Sequence, residues 1–398
     1  MLKAVISYLL RGEKMVKGYI FFHETKIPFG IKDYCIELFS DNDSLLTNFS
    51  QEYRFKTNYI LQGECYFNGS CGNKVVFLVD YSIGCRCYLS CYVVYNNSDN
   101  TEYTRIGIQS PFLDDIFRYK YQYLEVAREG TNLAIDTKDV YNIPFSIGNN
   151  QYELIYRIGH NHQLGLLEDF DKKGEIIIPV NSNDINECNR ISRILYRLSM
   201  FMTSSAEVPF KQITLYKGDW KIGFFYSRQI SDKASSYFDF RFSEFDVMKY
   251  IPKILNNISS NPGNTITESI PLGHLKDSNS LFSPQRFIEQ VFSFEYLFDK
   301  LEHQKAQSKK FSLKDELESM FTKFPKLLSR SQKSAEELSI QIKEIRRNIA
   351  HGHKYYYDFQ NDPNVQRIIF LLDDLILYMS LFYIGFSNED ILGFPNII

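Results

Sequence analysis

The run Ile345-Arg346-Arg347-Asn348-Ile349-Ala350-His351-Gly352-His353 sets two arginines five and four residues ahead of a histidine. Arginine stays charged at any working pH, and its planar fork of donors matches the oxygens of a phosphate. Histidine is the side chain best suited to moving a proton near neutrality. RNA lying across such a pair carries its own nucleophile, the 2′-hydroxyl. The chemistry open to these residues is therefore phosphodiester cleavage without a metal. Arginine followed by histidine at this distance is expected about once by chance in a chain of this size and average composition. The surrounding elements decide its weight.

Those elements read as helical. Leu338, Ile342, Ile345 and Ile349 recur at spacings of four, three and four, which makes one apolar stripe. Ser334 is placed to cap the N-terminus, Glu336 and Glu337 lie in the first turn, and Gly352 is placed to stop the helix. His351 then sits at the end where backbone carbonyls attract a cation. At ~100° per residue Arg347 shares a face with His351, whereas Arg346 lies roughly 140° away. If Arg346 is the working arginine, the last turn deviates from an ideal helix or the two residues act across a subunit interface. Two arginines and a histidine near a helix C-terminus are also ordinary partners of the helix dipole.

With 398 residues the chain is long enough for two or three domains. A net charge of −3 excludes a globally basic nucleic-acid coat. Between Lys300 and Lys354, however, thirteen Lys/Arg stand against seven Asp/Glu, so the positive bias surrounds the Arg/His run. Richness in Tyr, Phe, Ile, Asn and Lys matches the usage of an AT-rich bacterial genome. No stretch is long and apolar enough to span a membrane. Met1–Leu10 is a short apolar run with no small-residue cleavage site after it. Arg11-Gly12-Glu13-Lys14 reads as a translated ribosome-binding site, so residues 1–14 are expected to be an extension ahead of a start at Met15. Seven cysteines, an odd number, predict a reduced cytoplasmic compartment. Cys85, Cys87 and Cys91 share strand parity, which would allow them one face. Without a Cys-x-x-Cys knuckle they predict buried thiols rather than zinc. Gly159-His160-Asn161-His162 predicts a polar loop. No metal and no cofactor is expected, and the P-loop, GxGxxG, GxSxG and HExxH patterns are absent.

The predicted fold class is α+β: a β-rich region over residues 15–275 with a packed helix, then an all-α four-helix bundle over residues 283–398. Strands are predicted at 17–22, 34–39, 58–67, 73–79 and 86–95, with turns at Asn68-Gly69 and Gly72-Asn73 and a loop from Asn96 to Asn100. Pro111–Phe117 reads as a short helix. Strand-like segments continue at 152–157 and 175–179. Ile185, Cys188, Ile191, Ile194, Leu195 and Leu198 make a helix over about 184–202, and a hairpin follows at 212–216 and 220–226. Polar clusters at 256–264 and 272–283 read as linkers, with the boundary at 275–283. Beyond it, Ser283 and Pro284 open a helix reaching about Gln304. Further helices are predicted at 313–321, over the Arg/His run, and at 363–384, the last apolar on most sides and therefore buried. Four helices with short loops predict an antiparallel bundle.

A four-helix bundle with Arg-x4-His late in its third helix resembles the HEPN superfamily. The run Arg346-Arg347-Asn348-Ile349-Ala350-His351-Gly352 looks like its signature. Gln290 and Glu295 in the first helix resemble positions of one subgroup, the ApeA-like anti-phage proteins. Lys17–Phe22, Pro28-Phe29-Gly30, Cys35–Phe39 and Ile60–Gly63 are similar in order to the opening of that subgroup's N-terminal domain. The resemblance implies an anti-phage defence endoribonuclease, independent of metal. It implies cleavage of RNA, with tRNA the expected target, as a homodimer through the helical bundle, and a phage-derived trigger sensed by the N-terminal region. His351 would move the proton, Arg346 would hold the phosphate, and the products would be a 2′,3′-cyclic phosphate and a 5′-hydroxyl. Arg347 stands where the family has another polar residue, often Asn or Asp. Glu295 would orient an arginine, and His353, Lys354 and Tyr355 are candidates for contact with RNA. A competing expectation is a non-catalytic HEPN interaction or RNA-binding protein with a β-rich ligand-sensing domain.

Overall fold

Alternating β-branched and aromatic residues in the first hundred positions form strands that curl into a barrel. The computed structural model describes residues 16–67, 70–96, 101–110, 138–160, 172–203, 208–230, 244–260, 265–268, 282–302, 311–329, 331–353 and 356–392. The first unit comprises β1 (Val16–Phe22), β2 (Thr25–Lys32), β3 (Cys35–Leu38), helix α1 (Asp43–Tyr53), β4 (Tyr59–Phe67), β5 (Ser70–Ile83) and β6 (Arg86–Tyr95). Their antiparallel order is β3-β2-β1-β4-β5-β6, and a further pairing of β3 with β6 closes the ring. Ile20, Phe29, Ile36, Phe77 and Leu89 fill its interior, and α1 adds the buried Phe49. The sequence predicts no helix there. Asn42 nevertheless caps α1 by accepting from the amides of Ser44 and Leu45. At Gly18 a Cβ would stand 1.9 Å from the Glu64 carbonyl oxygen, so β1 and β4 can cross only over a glycine.

Strand β6 belongs to two structures. Its first half pairs with β3, while Cys91–Tyr95 also pair with β12 (Trp220–Ser227). The sheet then runs β12, β11 (Gln212–Lys217), β7 (Tyr103–Gln109), β10 (Lys172–Ser182), β9 (Asn150–His160) and β8 (Lys138–Ile147), every pair antiparallel. Leu78 faces Cys91 but Val79 faces Leu89, so Ser90 is an extra residue, and Asp80 is its counterpart on β5. Arg228 ties both bulges: its amide donates to the Ser90 carbonyl at 2.9 Å and its guanidinium to Asp80 at 2.8 Å. The bulge corrects the expectation that Cys85, Cys87 and Cys91 share a face. Cys87 lies inside the barrel, Cys91 lies in the other core, and Cys85 precedes β6. Burial pushes the Cys87 thiol up to about 12 and also raises Cys91, which suits inert buried thiols. Among the described residues no group of His, Cys, Asp and Glu could hold a metal.

Helix α2 (Ile185–Thr203) lays Ile191, Leu195 and Leu198 on the core of the long sheet. Helix α3 (Glu244–Ser260) corrects a second expectation, because the polar cluster beginning at Asn256 continues this helix. Ser260 donates to the Asn256 carbonyl, which absorbs its hydroxyl within the last turn of the helix. Asn256 accepts from the Ser146 amide at 2.7 Å, and Ser259 donates to the Ser146 carbonyl, so α3 is fastened along β8.

Four longer helices follow: α4 (Pro284–Glu302), α5 (Leu313–Lys323), α6 (Ala335–Ala350) and α7 (Pro363–Tyr383), with short helices at Pro325–Leu328 and Asn388–Leu392. α4 packs on α7, α6 packs on α5, and α6 also touches α4. Arg286 contacts both Asp373 oxygens at 3.1 and 3.0 Å, and Gln290 donates to the Ile369 carbonyl at 2.9 Å. Partners descend along α7 as they ascend along α4, so these two helices are antiparallel. A single apolar core runs from the long sheet through α2 and α3 into α4–α7. Tyr250 of α3 meets Phe386 just beyond α7. Most of the linker expected at 272–283 lies outside the described residues, as do residues 1–15, Asn68-Gly69, Pro111–Phe117 and His162. Among the described residues no helix is long and apolar enough to cross a membrane.

The Arg286 and Asp373 side chains are 2% and 9% exposed. Removing one partner strands a buried charge. Asp373→Ala is expected to lower the unfolding free energy by about 3–5 kcal/mol, and Arg286→Met with Asp373→Leu to recover most of it. Urea unfolding of the single and double variants measures this.

Candidate functional site

α6 forms as its sequence predicts. The Ser334 hydroxyl accepts from the Glu337 amide at 3.2 Å, and the Glu337 carboxylate accepts from the Ser334 amide at 2.8 Å, a complete capping box. Leu338, Ile342 and Ile345 are buried. At the other end Gly352 takes φ +83°. The His353 amide donates to the Asn348 carbonyl at 2.8 Å and the Gly352 amide to the Ile349 carbonyl at 3.0 Å. These paired bonds are a Schellman closure. His351 is its cap residue, with φ −88° and ψ 11°, outside helical geometry.

This geometry separates the candidates. Arg346 is half-buried, and its Nη2 lies astride the Glu295 carboxylate at 3.2 and 3.3 Å. Its Nε and Nη1 remain for another acceptor. Arg347, on the face of α6 closer to His351, is exposed and forms no ion pair among the described residues. The rings of His351 and His353 are exposed and make no hydrogen bond among the described residues. No hydrogen bond joins Arg346 to His351. Lys354 and Tyr355 lie outside the described residues. Gln290 is fully buried against α7 and serves the packing of helices rather than the site.

Two contributors were not foreseen. Asn348 donates to the Tyr357 hydroxyl at 3.1 Å, which ties the closing turn to the segment after it. Glu316 of α5 shares the surroundings of Arg346. Burial, then the charges of Glu295 and Asp299, push its carboxyl up to about 7, with Arg346 pulling the other way. In the sequence Glu316 follows Asp315 in a first turn capped by Ser312, where an acid reads as a partner of the helix dipole. Charges from two other helices thus act on Glu316 of α5: Arg346 from α6, and Glu295 and Asp299 from α4, of which Glu295 holds the guanidinium directly.

No family model, no curated protein and no solved structure matches the chain.

The raised Glu316 carboxyl gives stability a pH dependence. Between its ordinary value of 4.5 and about 7 the folded chain holds a proton that the unfolded chain releases. Stability from this group is therefore complete below 4.5 and is lost as pH rises through about 7. Glu316→Gln is expected to raise the thermal midpoint at pH 8 by about 1–3 °C and to leave it unchanged at pH 4. Calorimetric melts across pH check both the sign and the window.

Proposed function

We propose that the chain is a metal-independent endoribonuclease of the HEPN type, with Arg346 and His351 as its catalytic residues. The observation that carries this reading is the way α6 ends. One arginine is anchored by a carboxylate, and five residues on the cap residue of the same helix carries an imidazole that makes no hydrogen bond among the described residues. Arg346 would grip the scissile phosphate and offset the charge that develops on it. His351 would take the proton of the 2′-hydroxyl or deliver one to the departing 5′-oxygen. The products are a 2′,3′-cyclic phosphate and a 5′-hydroxyl. The exposed His351 and the lack of any bond between it and Arg346 support a site completed by a second copy meeting the first along the helical region. In this reading α4–α7 form the HEPN bundle of an ApeA-like defence protein acting on tRNA in the cytoplasm, and the barrel and long sheet receive the phage-derived trigger.

One feature favours a non-catalytic RNA-binding protein. Glu295 already holds Arg346, and its charge and that of Asp299 raise the nearby Glu316 carboxyl, a local negative bias that opposes an incoming phosphate.

Incubation with total RNA in EDTA decides between the two. Cleavage is expected, with ends bearing the cyclic phosphate and the 5′-hydroxyl. His351→Ala is expected to slow it by about 10²–10⁴-fold, and Arg346→Ala by about 10²–10³-fold. Arg347→Ala is expected to change it by no more than about fivefold, the loss of one exposed phosphate contact. Undiminished cleavage by His351→Ala would remove the catalytic assignment. No cleavage by the unaltered chain at any concentration would favour the binding protein.

A further inference from the structure

We propose that the outer face of the barrel, where β2, β1, β4 and β5 lie side by side, is a platform for single-stranded RNA. The choice of RNA rests on the ribonuclease reading, while the surface itself stands on separate observations. Ile20 and Phe22 point into the barrel, so Lys17, Tyr19 and Phe21 point out. On β4 the inward Leu61 and Cys65 leave Tyr66 outward. Cross-strand register brings these side chains together. Lys17 lies opposite Tyr66, Tyr19 opposite Glu64, Phe21 opposite Lys26, and Glu64 opposite Lys74.

Single exposed aromatics are ordinary on protein surfaces. Here three lie at neighbouring positions, 42% (Tyr19), 40% (Phe21) and 63% (Tyr66) exposed, with lysines between them. Glu64 is the one carboxylate on the outward positions of these strands up to Leu78, against Lys17, Lys26, Lys32 and Lys74. Lys26 is shared between Glu64 at 2.9 Å and the Phe21 ring at 5.3 Å. Lys17 and Lys74 form no ion pair among the described residues. In a chain of net charge −3 this face inverts the local sign, which fits a polyanion.

Ring spacing selects the form of that polyanion. Tyr19 and Phe21 are two residues apart on one strand, ~6.7 Å. Bases in a duplex rise ~3.4 Å per step. Successive bases can reach both rings only if the strand is extended and unstacked, with its phosphates following the lysines. Stacking of this kind tolerates any base, which suits a surface that holds RNA without choosing the cleavage site.

Fluorescence anisotropy of the full-length His351→Ala protein with a labelled oligouridylate reads binding without cleavage. Tyr19→Ala, Phe21→Ala and Tyr66→Ala are each expected to raise the dissociation constant by about fivefold or more. Lys17→Glu and Lys74→Glu are each expected to reduce the slope of log affinity against log salt by about 0.7. All five positions are solvent-facing, and circular dichroism confirms that each variant folds. A deoxyoligonucleotide that binds equally supports the stacking platform and assigns it to single strands in general. Unchanged affinity in all three aromatic variants, or duplex RNA binding as tightly as the single strand, would overturn the proposal. Because the background is inactive, failure of the unaltered chain to cut RNA overturns the ribonuclease reading alone.

Discussion

The buried ion pair between Arg286 and Asp373 is the contact on which the helical region depends. A carboxylate and a guanidinium taken out of water are tolerated only when they meet. Their meeting, with the Gln290 bond to the Ile369 carbonyl one turn on, sets the register of α4 against α7. Register on α4 then determines what happens about 7.5 Å further along its axis, where Glu295 emerges to hold Arg346. The charge pair and the buried apolar residues of α4 act together, and the position of the candidate catalytic arginine follows from the register they set.

The same economy joins the barrel to the long sheet. β6 contributes hydrogen bonds to three neighbours because the bulges at Ser90 and Asp80 turn its side chains over partway along. Before the bulge its alternate residues fill the barrel, and after it Cys91, Val93 and Tyr95 face the second core. Arg228 closes the disturbed ladder with its amide and its side chain together. The second core passes through α3 into the helical region, so the chain is continuous in packing from the long sheet to the end of α7.

What the sequence conveyed about this fold follows the range of the forces involved. The ends of α6 were readable because Ser334, Glu337 and Gly352 act on neighbours within a few residues. α7 was readable because it is apolar on nearly all sides. α3 was hidden by Pro252 and by a polar run from Asn256 that resembles a linker until the Ser260 hydroxyl is seen bonding back onto the helix. Barrel closure depends on β3 meeting β6 across about fifty residues, and no local pattern records that. Within the site, the Arg/His run and Glu295 were visible as residues. Two facts were not: the preference of Arg346 for Glu295 rather than His351, and the part played by Glu316. Both arise from three helices converging, and spacing along one chain carries no information about such an encounter.

Closure of the barrel leaves β8 as the outer strand of the sheet among the described residues, and the end of its free side is already occupied. Ser146 turns both its amide and its carbonyl towards α3. Pro144, two residues earlier and of the same parity, has no amide hydrogen to offer on that side. A foreign strand arriving here would find donors and acceptors spent where it needs them. Among the described residues the twelve-stranded sheet therefore presents no open ladder at this stretch of its border. At this stretch a second copy of the chain is opposed as an added strand.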